Sequence, residues 1–137
     1  MPPEEAEDLA KALAKKEIDV IYLIAPTTTD ARAKTICENA TGYIYYVSLK
    51  GVTGAGHLDT AAVADRLSSL KEYTDLPLCV GFGISNAESA QLVSSVSDGV
   101  VVGSALVKQF DNDTPATDAV AAATALLGEM REAMDKN

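Results

Sequence analysis

Residues 99–107 read GVVVGSALV, a run of β-branched apolar residues that stops at a Gly-Ser pair and restarts at Ala105 in a helix-compatible way. Residues 79–93, CVGFGISNAESAQLV, repeat the scheme, with Gly81 and Gly83 at the break. A short apolar run without polar alternation suits a strand buried on both faces. Two such runs, each passing through glycine into a helical pattern, point to parallel α/β structure.

The same unit recurs toward the N-terminus. DVIYLIAP, residues 19–26, is a strand with a proline stop, and YIYYVS, residues 43–48, is another. Helices are expected from Pro3 to Lys16, from a Thr27–Asp30 capping pattern to Ala40, and over Thr60–Glu72. Further helices are expected over Asn86–Val96, behind a Ser85/Glu88 capping box, and from Ala116 to Met134. A turn or short helix spans Ala105–Phe110. The first helix shows an apolar stripe of Ala6, Leu9, Ala10 and Leu13; the last carries Val120, Leu127, Met130 and Met134 inward. The order αβαβαβαβα describes one domain over residues 1–137, four parallel strands flanked by helices with right-handed crossovers. An open doubly wound sheet and a section of a (β/α)8 barrel both satisfy it. Four strands alone cannot close a barrel.

Composition narrows the function classes. At 137 residues the chain is one ordinary domain, and an apolar content of 47% argues against disorder. A formal net charge of −9 with no basic cluster argues against a nucleic-acid partner. No stretch approaches the ~20 apolar residues of a membrane span. The acidic start, MPPEEAEDLA, does not read as a secretory signal, so a cytoplasmic location without a membrane partner is expected. Cys37 and Cys79 read as small buried hydrophobes of a reducing compartment. His57 is the single histidine and has no second ligand, so no metal site is expected.

In parallel α/β folds, ligands sit beyond the C-terminal ends of the strands. Those ends are Ala25-Pro26, Ser48, Gly81-Phe82-Gly83 and Gly103-Ser104. Glycine lets an anion reach backbone N–H groups, and a helix N-terminus adds partial positive charge. This makes a phosphate cradle that needs no lysine or arginine. KGVTGAG, residues 50–56, is a further Gly-rich contributor. Each of these glycines serves a tight turn or loop flexibility equally well. Tyr43 and Tyr45 share one strand face and Tyr46 takes the other.

The stretches APTTTDAR, GYIYYVSLKGVTGAG, YTDLPLCVGFGIS and DGVVVGSALV together resemble the C-terminal half of the tryptophan synthase alpha subunit. The resemblance runs from PPEEAEDLA to the last helix. It implies half of a (β/α)8 TIM barrel from a lyase of tryptophan biosynthesis. That family cleaves indole-3-glycerol phosphate, by a retro-aldol reaction, into indole and glyceraldehyde 3-phosphate. The indole passes to a beta subunit that carries the pyridoxal phosphate, so no cofactor is expected in this chain. By the same resemblance, Thr53 and Gly54 belong to a mobile loop that closes the site. Gly83, Gly103 and Ser104 match phosphate-binding backbone, Val47 and Phe82 line the indole, and Tyr45 lies beside the catalytic carboxylate.

The family's two catalytic carboxylates lie in the first four strands of its barrel and have no counterpart here. Retro-aldol cleavage needs one proton delivered to the indole ring and another removed from the glycerol hydroxyl. Asp19 and Asp98 precede their strands, on the rim opposite the site. Asp30, Asp59 and Glu88 are helix-start residues. Tyr45, with an unperturbed pKa near ~10, cannot serve both steps. The expectation is a phosphate-binding half-site with no catalytic residue and no lyase activity of its own. The alternative is a catalytically inactive phosphate-binding or self-assembling half-barrel module. The sheet face made to meet strands one to four is apolar, so pairing with the missing N-terminal half or self-association is expected.

Overall fold

The computed structural model describes residues 2–48, 59–81, 83–111 and 113–137. Its four strands are β1 (Tyr22–Ile24), β2 (Ile44–Val47), β3 (Leu78–Gly81) and β4 (Gly99–Val101). They form one parallel sheet in the order β1-β2-β3-β4. The helices are α1 (Glu7–Ala14), α2 (Asp30–Asn39), α3 (Thr60–Lys71), α4 (Ala87–Ser94), α5 (Ser104–Val107) and α6 (Ala116–Met134).

Strand alternation sorts the side chains onto two faces. Tyr22, Ile24, Ile44, Tyr46, Leu78 and Val80 are buried, in one cluster with Ala33, Ile36, Val63, Leu67, Leu70, Val93 and Met130 from the helices. The opposite face carries Leu23, Tyr45, Val47, Cys79 and Val101. Leu23 is 60% exposed and the others are half-buried. The helices therefore cover a single face, and the doubly wound alternative is set aside.

Several boundaries differ from the sequence reading. The first helix is broken: a 3-10 turn at Pro3–Glu5 precedes α1, where Ala6 has φ −99° and ψ 0°. Its stripe is shallow, because Ala6 is buried but Leu9 is 45% exposed. The paired strands are shorter than the apolar runs around them; β1 and β4 have a neighbour on one side only. Thr29 is the N-cap of α2 without a side-chain cap bond, and Thr28 Oγ1 instead accepts from the Ala25 N–H at 3.0 Å. The box at α4 is Asn86/Ser89, not Ser85/Glu88, and the helix ends at Ser94. The short helix after β4 spans Ser104–Val107, and turn hydrogen bonds from the Gln109 and Phe110 N–H groups to the Leu106 and Val107 carbonyls, both 3.0 Å, carry it to Phe110. In α6, Ala119, Ala123, Met130 and Ala133 are buried, whereas Val120 and Leu127 are 55% and 44% exposed, not inward. The buried positions of α6 are thus mostly small side chains, and α6 packs on α4. Cys79 is half-buried on the open face, not a core residue, while Cys37 is buried.

Two polar clamps set the rims. At the C-terminal rim, Ser48 is buried; its N–H and its hydroxyl both donate to the Gly81 carbonyl, at 3.1 and 3.2 Å. At the N-terminal rim, Asp98 Oδ2 accepts from the Leu78 N–H at 2.8 Å and from Lys71 Nζ at 2.7 Å. The first joins the end of β2 to that of β3, and the second joins the starts of β3 and β4.

Candidate phosphate site at the strand ends

The site is built on β3 and β4. Their register pairs Cys79 with Gly99, Val80 with Val100, and Gly81 with Val101. Gly83 and Gly103 each lie two residues beyond the last pair, so both leave the sheet at the same rim. Gly83 has φ +76°, a left-handed conformation that disfavours any Cβ. A Cβ built on Gly83 or Gly103 would meet nothing within 4 Å. The space above both backbones is open.

The helix starts at this rim differ in what they have left to offer. At α4 the Asn86 side chain accepts from the Ser89 N–H at 2.8 Å, while Ser89 Oγ accepts from the N–H groups of Ser85 and Asn86 at 3.2 Å. At α5, Gly103 is the N-cap and no side chain caps it. The Gly103 carbonyl accepts from the Leu106 and Val107 N–H groups at 2.9 and 3.1 Å. The amides of Ser104 and Ala105, in the first turn, have no carbonyl within the helix to bond. They are donors suited to an anion.

Tyr45 lies on the open face. A Cβ on Gly81 would come 2.1 Å from the Tyr45 hydroxyl oxygen and 2.6 Å from Cζ. The ring therefore leans across β3 toward the strand ends, and Gly81 is glycine because the ring occupies that space. Cys79 lies against β4 in the same manner, with a Cβ on Gly99 falling 2.8 Å from its Sγ. Burial pushes the Cys79 thiol up, with a contribution from the Asp98 carboxylate, and burial does the same to Cys37. Neither is an activated nucleophile. Val47 shares the face of Tyr45. Thr53, Gly54 and Phe82 lie outside the described residues, as do Lys50, Gly51, Gly56 and His57.

Two carboxylates at helix starts on this rim are committed elsewhere. Asp30 pairs with Arg66 Nη1 at 2.5 Å, and Asp59 caps α3 by accepting from the Ala62 N–H at 3.1 Å. Arg66 Nη2 also donates to the Thr28 carbonyl at 2.9 Å, fastening the loop after β1 to α3. Among the described residues, no group of three or more His, Cys, Asp or Glu side chains could hold a metal ion. No described helix is long and apolar enough to cross a membrane. The chemistry this rim offers is main-chain binding of an anion beside an aromatic wall.

Sequence reading missed three of these residues. Ser48 was legible only as a strand end, and its hydrogen bonds to Gly81 depend on strand pairing. Arg66 carries no motif. Gly81 was read as part of a glycine-rich turn, although its function is to make room for Tyr45, 36 positions earlier in the chain.

The family model for the tryptophan synthase alpha chain matches residues 1–135. The chain belongs to the tryptophan synthase alpha family. The alpha chain of Thioalkalivibrio sulfidiphilus is 53% identical over 138 residues, covering 98% of this chain and 51% of that protein. The Neisseria meningitidis alpha chain is 50% identical, covering 97% of this chain and 50% of its own length. Among solved structures, the alpha subunit from Legionella pneumophila superposes with a TM-score of 0.82 at 38% identity, over 99% of this chain and 50% of that one. Tryptophan synthase from Mycobacterium tuberculosis, in its open form, superposes at 0.78 with 28% identity, over 98% and 47%. The chain thus spans about half the length of these alpha-family relatives, their C-terminal half. Its four strands are half of a tryptophan synthase alpha TIM barrel.

Proposed function

We propose that this chain supplies the phosphate half of an indole-3-glycerol phosphate site in a tryptophan synthase alpha barrel. The observation that carries the reading is the pair of open glycines beyond β3 and β4, beside an α5 N-terminus that no side chain caps. The phosphate oxygens accept from the amides of Gly83, Gly103, Ser104 and Ala105, and the Ser104 hydroxyl lies at the same helix start. Tyr45 and Val47, on the open face of β2, form the apolar wall toward the indole. Binding by backbone dipoles suits a chain of net charge −9.

The two proton transfers of retro-aldol cleavage are made by carboxylates of the N-terminal half of the family's barrel. In this chain Asp30 is ion-paired and Asp59 is a cap, so neither is free to act as acid or base. The chain by itself binds the sugar phosphate and does not cleave it. With the N-terminal half in place, the indole passes to the family's beta subunit, which holds the pyridoxal phosphate.

A thermal-shift titration with glycerol 3-phosphate and with inorganic phosphate tests the reading. Both raise the melting temperature of the wild-type chain, and neither raises that of Gly103→Val. Equal protection of the variant would overturn the assignment. Indole release from indole-3-glycerol phosphate by the purified chain would overturn its dependence on the missing carboxylates.

A further inference from the structure

We propose that Ser48 is a positioning residue for the phosphate site: through the Gly81 carbonyl it fixes where the Gly83 amide stands. The proposal rests on the phosphate reading of the strand ends and adds to it a residue that touches no ligand.

Tyrosines aside, Ser48 is the one buried polar side chain among the described residues, at 3% exposure. It follows β2 on the helical face, in step with the alternation that buries Ile44 and Tyr46. A small apolar residue would suit that place, because a hydroxyl taken out of water costs free energy unless it is hydrogen-bonded. The Ser48 hydroxyl donates to the Gly81 carbonyl at 3.2 Å, and the Ser48 N–H donates to the same oxygen at 3.1 Å. The N–H bond continues the parallel ladder, and any residue but proline could make it. The hydroxyl bond is what serine adds.

The end of β3 needs that second hold. Gly81 has no side chain to pack, since the Tyr45 ring takes the space a Cβ would fill. Gly83, two residues on, would meet nothing within 4 Å of a Cβ, and its φ of +76° is one that glycine leaves at little cost. The next residue, Ile84, is 5% exposed and belongs to the core cluster. Gly83 is therefore strung between a carbonyl held from β2 and a side chain held by the core. Without the hydroxyl, one of those two fixed points loosens. The other donors of the site, at Gly103, Ser104 and Ala105, hang from β4 and α5 and share no hydrogen bond with Ser48. The device acts on one half of the cradle.

Calorimetric titration of glycerol 3-phosphate into the 137-residue chain, with 15N spectra of each variant before ligand is added, tests the proposal. Ser48→Ala is expected to stay folded and to bind about tenfold more weakly, the loss of one hydrogen bond to a charged group. Its ligand-free Gly83 amide is expected to shift or broaden, while those of Gly103 and Ser104 keep their positions. Ser48→Thr, which keeps the hydroxyl, is expected to restore both. Asp98→Asn, at the opposite rim, controls for lost stability and is expected to bind as the wild type does. Should Ser48→Ala fail to fold, Ser48→Cys, with a thiol that donates only weakly, gives the same readouts. A folded Ser48→Ala of wild-type affinity, an unmoved Gly83 amide, equal shifts at Gly103, or a folded Ser48→Thr no better than alanine would each overturn it. A wild-type chain that binds no glycerol 3-phosphate would overturn the phosphate reading and this role with it. Wild-type binding beside an unmoved Gly83 amide would overturn the role alone.

Discussion

At the scale of single residues, the site depends on what glycine leaves out. Gly81 gives the Tyr45 ring its seat, since a Cβ there would fall 2.1 Å from the hydroxyl oxygen and 3.1 Å from Val101 Cβ. Gly81→Ala is therefore expected to displace the ring and cost about 1–3 kcal/mol, the usual range for overpacking. Urea denaturation together with Tyr fluorescence checks this, and an unchanged midpoint with an unchanged spectrum would show that the ring lies elsewhere. Gly83→Ala strains a backbone at φ +76° by about 1 kcal/mol without touching any neighbour. Its expected signature is weaker glycerol-phosphate protection with little loss of secondary structure. The sequence showed that Tyr45 and Tyr46 take opposite faces, because strand period alone decides that. It could not show that Tyr45 leans onto Gly81, which depends on the register between two strands.

At the scale of elements, the apolar runs made the four strands and their order legible, and α6 begins and ends where its composition suggests. The helix caps and contact faces were harder to read. Ser85-x-x-Glu88 and Asn86-x-x-Ser89 overlap by all but one residue, and the extended backbone of Asn86, φ −152°, decides between them. Asn86→Ala is expected to cost about 1 kcal/mol and Ser85→Ala far less, measured by thermal melts. In α6, ranking residues by hydrophobicity selects Val120 and Leu127, whereas the residues buried are Ala119, Ala123, Met130 and Ala133. The clamp between β3 and β4 gives a pH prediction. The Leu78 N–H, and after it Lys71, hold the Asp98 carboxyl below its ordinary 3.8. The folded state therefore binds this proton more weakly than the unfolded chain does. The stabilisation is complete above the unfolded value and is lost as pH falls through the lower folded one. Asp98→Asn should flatten stability against pH below about 4. Because the Asp98 side chain is 45% exposed, screening keeps its cost at neutral pH to about 1 kcal/mol. An unaltered acid limb in the variant would contradict the clamp.

At the scale of the whole molecule, the chain is half of a closed architecture, with every described core residue on one side of its sheet. Composition and periodicity could say parallel α/β but could not choose between an open sheet and a barrel section. Both place apolar residues on both strand faces, and only the distribution of helices separates them. The placement of Gly83 and Gly103 at one rim was legible, because parallel strands carry their ends to the same side. The proposed function turns on main-chain amides beyond the last two strands holding a sugar-phosphate headgroup. The most direct test is a titration of the 15N-labelled chain with glycerol 3-phosphate, followed amide by amide. Saturable shifts centred on Gly83, Gly103, Ser104 and Ala105 are expected, with the N-terminal rim around Lys71 and Asp98 unmoved. Shifts confined to Lys71 and the other exposed lysines, or no saturable shift at the two glycines, would contradict it.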